Sequence, residues 1–156
     1  MAYKCNHFAI HELVSPGALD EIAERILWRR FDPNVLKDAD KLRERYGACY
    51  INTHGFSNPN ILGEVFSYSG FLMQNEYVEK RSQGSGHRYF KCLDMKFTDV
   101  TTEEIREDLF GFDPQANAYL PKIEDFPHIT EVELGTSWLH VGWGTNTDDK
   151  VLVYRP

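Results

Sequence analysis

Two histidines and an aspartate stand out in this 156-residue chain as residues whose types could do chemistry together. They occur in Ser85-Gly86-His87, at Asp94, and in Trp138-Leu139-His140. Two imidazoles and one carboxylate are the ligand set of a catalytic zinc, which keeps three protein ligands and leaves the fourth position open. Zn2+ held in this way lowers the pKa of bound water from ~16 to ~7 and polarises a carbonyl as a Lewis acid, and both effects suit amide hydrolysis. Each residue alone is a weak signal, because a single histidine is more often packed or on the surface than a ligand. The combination carries the reading. A nucleophilic triad of Ser85, His87 and Asp94 lacks the strained Gly-x-Ser-x-Gly elbow that would present the serine.

His87 and Asp94 are seven residues apart, too far to share one helical turn. A loop carrying His87 into a strand carrying Asp94 would serve, with His140 arriving from a later strand across the sheet. The flanking sequence suits this. Residues 54–86 are rich in Gly, Ser and Asn, which is loop chemistry. Cys92-Leu93-Asp94-Met95-Lys96-Phe97 alternates as a strand does. Residues 129–134, the turn Gly135-Thr136, residues 138–141 and residues 151–154 read as the remaining strands.

Helices come earlier. Pro16-Gly17 reads as a turn, and Leu19, Ile22, Ala23 and Ile26 form a helical stripe over residues 18–27. Asp32-Pro33 predicts a second helix, with Asp32 as N-cap, a stripe of Val35, Leu36, Ala39, Leu42 and Tyr46, and Gly47 as its end. Thr101-x-x-Glu104 is a capping box opening a helix through Ile105 and Leu109. Cys49-Tyr50-Ile51-Asn52 reads as a short strand. Helices first and antiparallel strands after predict an α+β class, an antiparallel sheet with helices packed on one side and the zinc site on the sheet. No linker divides the chain, which reads as a single domain over residues 1–156.

Strand parity brings in two further carboxylates. If Leu134 and Ser137 flank a two-residue turn, Glu133 faces Trp138 and Glu131 faces His140. Directly opposed residues of an antiparallel pair project to the same face. Both glutamates then lie beside the metal ligands, as general base or as partners that orient His140. Ser85 fixes the loop or donates a hydrogen bond near the metal, and Trp138 packs beside the site.

Composition excludes several classes. A net charge of −7 is opposite to the basic face that a nucleic acid requires. No apolar run is long enough to span a membrane. The N-terminus lacks the apolar core of a signal peptide, so the expectation is synthesis in a cytoplasm. Three cysteines, Cys5, Cys49 and Cys92, are too few and too scattered for a disulfide framework. Cys49 and Cys92 read as small core residues.

Ser-x-His followed by Asp, with a later Trp-x-His-Val, resembles the zinc D-alanyl-D-alanine carboxypeptidase family, and most closely its bacteriophage endolysin-type members. The likeness extends, in the family's order, through His11-Glu12-Leu13-Val14-Ser15-Pro16, Phe31-Asp32-Pro33, Tyr50-Ile51-Asn52, Ser69-Gly70-Phe71, Thr102-Glu103-Glu104-Ile105-Arg106 and Phe126-Pro127-x-Ile129-Thr130. It covers about residues 8–141. The resemblance implies Zn2+ on His87, Asp94 and His140, in the fold shared with the hedgehog signalling domain. It also implies a phage or prophage metallopeptidase that cuts peptidoglycan stem peptides, at D-Ala-D-Ala or L-Ala-D-Glu bonds. Such a protein acts at the cell wall after release, or as part of a virion. Glu133 stands where phage-type relatives carry a glutamate and is the expected general base. Four positions depart from the pattern. Ser137 replaces the usual acid three residues before the last histidine, and Leu72 replaces an arginine. Gly142 replaces an aspartate, and Phe90 replaces a glycine between the first histidine and the aspartate. The first three also suit an alternative, a zinc-binding structural or interaction protein that has lost catalysis.

Overall fold

A helix that begins at Asp32-Pro33 organises one side of the molecule. In the computed structural model, which describes residues 2–73, 86–113, 118–121, 126–144 and 151–154, it is α4, Pro33–Tyr46, the fourth of five α-helices among the described residues. Asp32 accepts from the Asn34 backbone N–H at 2.9 Å. Gly47 ends the helix at φ +89°, a conformation that costs glycine little. Before it come α1, Ile10–Leu13, α2, Pro16–Glu21, and α3, Glu24–Arg30; α5, Thr102–Leu109, follows later and opens on the expected capping box.

The single helix expected over residues 18–27 is two, and Pro16-Gly17 lies inside the first of them. Burial explains the break. Ala18 and Leu27 are both fully buried, yet nine positions at about 100° each place them on opposite faces of one continuous helix. Breaking the helix at Ile22-Ala23 lets both face the same core. Ile26, on the predicted stripe, is left exposed, while Leu27, Trp28 and Phe31 turn inward.

The described residues contain seven strands: β1, Cys49–Tyr50; β2, Cys92–Phe97; β3, Phe110–Asp113; β4, Ala118–Pro121; β5, Glu131–Glu133; β6, Leu139–Gly142; and β7, Leu152–Tyr154. Five form a sheet in the order β1-β2-β6-β5-β7, and β3-β4 is a separate hairpin that the sequence did not announce. The main sheet is antiparallel except for β7, which runs parallel to β5. The class is therefore α+β with a mostly antiparallel open sheet. Leu93, Met95, Val132, Leu139 and Val141 project to one face. There they join Val35, Leu36, Ala39 and Leu42 of α4 and Ile105 and Leu109 of α5 in one buried apolar cluster. The alternate residues of β2 and β6, namely Cys92, Asp94, Lys96, His140 and Gly142, take the other face.

Candidate metal centre

Register places the ligands. Asp94 on β2 is directly opposite His140 on β6, and continuing the β5–β6 register sets Glu133 opposite His140 on its other side. This register differs by two residues from the expected one, because the β5–β6 connection is longer than Gly135-Thr136 alone. A shift of two preserves the face, whereas a shift of one would invert every side chain. Asp94, His140 and Glu133 therefore form one row across three strands. Cys92, Gly142 and Glu131 form the next row on the same face.

His87 comes from a short 3-10 helix, Gly86–Tyr89, that leads into β2. His87, Asp94 and His140 are 3%, 6% and 6% exposed, and their ligating atoms lie within 4.8 Å of one another. His87 Nε2 is 3.5 Å from Asp94 Oδ1, and His140 Nδ1 is 2.6 Å from the same oxygen. Ligands at about 2.0–2.1 Å around a tetrahedral zinc are ~3.4 Å apart. The first separation already matches, and the second must open by less than about 1 Å. His87 Nδ1 donates to the Gly70 carbonyl at 2.9 Å, which fixes the tautomer and leaves Nε2 as a ligand lone pair. Such outer partners are what orient metal-binding histidines.

A strap of backbone supplies that carbonyl. Ser69 C=O accepts from the Asp94 N–H at 2.8 Å, the Phe71 N–H donates to Leu13 C=O at 2.8 Å, and the Leu72 N–H donates to His87 C=O at 3.2 Å. Gly70 is required here, because a Cβ would overlap the Leu13 carbonyl. Asn52 holds the strap, accepting from the Ser69 N–H at 2.8 Å and donating to Val14 C=O at 3.0 Å. Lys96 ties it to the sheet through Ser69 Oγ, Ile51 C=O at 3.3 Å and Asp94 C=O at 3.1 Å. The sequence showed these residues only as a framework. Strand alternation, which sets Cys92 and Lys96 on the face of Asp94, was the available signal for the role of both.

Electrostatics favour a cation. Burial works against charge on Asp94, but His140 and His87 more than offset it and hold its carboxyl well below the usual range. Burial also opposes a charged His140, yet Asp94, Cys92 and Glu131 outweigh it and raise its pKa to about 12. His140, together with Cys92, holds Glu131 below the usual carboxylate range against the effect of burial. The same carboxylates that favour a proton on His140 would favour a metal cation in its place.

No protein-family model, curated protein or solved structure matches this chain. His87, Asp94 and His140 together form a buried group able to hold a metal ion.

The other expected residues fall as follows. Glu133 Oε2 is 3.8 Å from His140 Nδ1, on the edge of the ring that faces Asp94 and His87. Glu131 Oε1 is 3.6 Å from Nε2, the opposite edge. Trp138 is half-buried, and its carbonyl accepts from Arg106 at 3.1 Å and from Thr136 Oγ1 at 2.8 Å. Ser85 lies outside the described residues. Cys49 is in the apolar core, whereas Cys92, though buried, is on the site face and donates to Glu131 Oε1 at 3.0 Å.

The departures acquire physical reasons. Gly142 is the space Glu131 occupies, since a Cβ there would overlap the glutamate side chain. Phe90, where the family pattern has a glycine, has φ +58°, a left-handed conformation natural to glycine. Stacking on Phe71 at 3.6 Å and an edge contact with Phe31 at 4.8 Å offset that strain. Leu72 is buried, and Ser137 is exposed with its carbonyl accepting from Thr102 Oγ1 at 3.0 Å.

Proposed function

We propose that the protein is a zinc-dependent peptidase that hydrolyses peptidoglycan stem peptides, built on the hedgehog/DD-peptidase fold and encoded by a phage or prophage. The observation that carries the reading is the row Asp94–His140–Glu133 across β2, β6 and β5, with His87 closing the ligand set from the preceding turn. It sets a carboxylate beside a three-residue metal-binding group. The choice of cell-wall peptide as substrate rests on the sequence resemblance.

In this reading His87, Asp94 and His140 hold the zinc, whose bound form supplies Lewis acidity toward the scissile carbonyl and acidifies water. Glu133 takes the proton of the attacking water and passes it to the leaving amine. A base must come within about 3 Å of that proton's donor, directly or through one water, and Glu133 is the glutamate on the correct edge of His140. Glu131 faces the other nitrogen and orients the ring. Leu72 is buried where an arginine would hold a free terminal carboxylate, which favours an endopeptidase over a carboxypeptidase.

Bound zinc is measured in wild-type protein and in His87→Ala, and purified peptidoglycan is assayed for newly released termini with wild type and Glu133→Ala. About one zinc lost with His87, and cleavage lost with Glu133, support the peptidase. The alternative, a zinc-holding structural or interaction protein, is favoured by Ser137 being exposed and Leu72 buried. Zinc without metal-dependent cleavage on walls from several hosts would establish it and overturn the peptidase. No zinc after repletion overturns both.

A further inference from the structure

The second edge of His140 is built like the first. Nε2 is buried in a residue only 6% exposed and has no hydrogen-bond partner among the described residues. It points toward Glu131 Oε1 at 3.6 Å, and that oxygen is 3.0 Å from Cys92 Sγ. The three ligating atoms lie within 4.8 Å of one another. For Zn–S near 2.3 Å and Zn–N or Zn–O near 2.0–2.1 Å, tetrahedral neighbours are ~3.4–3.6 Å apart, a value these separations bracket. We propose that Cys92, Glu131 and the Nε2 edge of His140 form a second metal site for a thiophilic divalent cation such as Zn2+, Co2+ or Cd2+, with His140 bridging the two ions.

Several features converge on this site. Gly142 lies midway between Cys92 and Glu131 in the same row, and a side chain there would overlap Glu131. The Glu131 side chain is 29% exposed, which leaves an approach for the ion and for water as a fourth ligand. One thiolate with one imidazole and one carboxylate selects zinc-like ions over magnesium or calcium. Binding expels the Cys92 thiol proton and the second His140 ring proton to solvent. Two dications then bring four positive charges to Asp94, Glu131, Glu133, a thiolate and an imidazolate, which together carry five negative ones. His140 is the ligand shared with the peptidase reading, in which Glu131 only orients its ring.

The test titrates metal-stripped full-length protein with Co2+ and follows the ultraviolet thiolate-to-cobalt charge-transfer band. Expected are two equivalents per chain, with the band developing alongside one of them. Cys92→Ser loses the band and one equivalent but keeps the other; His87→Ala keeps the band. One equivalent without the band in wild type overturns the proposal, whatever the variants do, and leaves Cys92 and Glu131 as positioning partners of His140. A band that persists in Cys92→Ser comes from Cys5 or Cys49 and also overturns it. Failure of the His87 site instead appears as loss of the band-free equivalent, so the two readings fail separately.

Discussion

The two nitrogens of the His140 ring meet different neighbours, and that difference separates two glutamates that the sequence could only pair. Nδ1 faces Asp94 and Glu133, and Nε2 faces Glu131, whose Oε1 also accepts from Cys92. Glu133→Gln keeps the shape and the candidate metal ligands but removes the proposed base. Cleavage of peptidoglycan is expected to fall about 10²–10⁴-fold, the usual worth of general acid–base catalysis, with zinc content unchanged by elemental analysis. Glu131→Gln acts through His140 instead, and zinc affinity at the His87 site is expected to weaken about 10–100-fold, as for other groups that orient a ligand. Competition with a chromophoric chelator measures this. The proton on His140 gives a further prediction. In the metal-free protein His140 keeps that proton up to about pH 12, so an ion arriving at Nδ1 near neutral pH must displace it. Calorimetry of the first zinc equivalent in buffers of different ionisation enthalpy should therefore show about one proton released. Affinity should rise with pH, nearly tenfold per unit. No released proton would mean that His140 is already neutral before the ion binds.

Among the elements, the turn between His87 and β2 carries the clearest internal conflict. Phe90 has φ +58°, which costs a non-glycine residue about 1–2 kcal/mol, yet its ring is buried between Phe31 and Phe71. Phe90→Ala loses the ring and keeps the strain, so it should cost about 3–5 kcal/mol. Phe90→Gly loses the same ring but relieves the strain, and should be more stable than the alanine variant by about 1 kcal/mol. In a helix or strand the order would be reversed, so chemical denaturation of the two variants tests the backbone assignment directly. This turn also shows what the sequence could and could not reveal. Asp32-Pro33, Gly47 and the Thr101–Glu104 capping box are local signals, and the helices they bound appear as expected. Alternation through Cys92-Leu93-Asp94 likewise set Asp94 in a strand. The β5–β6 register and the break at Ile22-Ala23 are decided by packing between distant segments. Strand alternation therefore found the right faces and missed the pairing by two residues, whereas the helical stripe over residues 18–27 put Ile26 on the wrong face. The strap from Ser69 to Leu72 works through backbone carbonyls, which leave little trace in side-chain pattern beyond the need for Gly70.

For the whole molecule, an ion held at the buried site would make folding and metal binding one equilibrium. Apolar burial by α4, α5 and the sheet orders the face that carries Asp94, Glu131, Glu133 and both histidines, and an ion that binds only the folded chain stabilises it. At zinc concentrations about 100-fold above Kd, the gain is ~2.7 kcal/mol. For a domain of this size that raises Tm by roughly 5–10 °C. The effect must also depend on pH. In the metal-free protein the His140 pKa is raised from its ordinary 6.5 to about 12. Its stabilising contribution is therefore complete below 6.5 and is lost progressively as pH rises toward 12, because the unfolded chain gives up its proton first. Asp94 has the opposite sign: its pKa is lowered from 3.8, so its contribution is present above that value and is lost as pH falls through and below it. In the proposed exchange, zinc would remove the alkaline loss by taking the place of the proton. Thermal melts with zinc and with a chelator should consequently diverge as pH rises from about 6 to 8, with the chelated protein falling and the zinc-loaded protein holding. A zinc increment in Tm that stays constant over that range would break the proposed exchange of ion for proton at His140, even if the ion itself were bound.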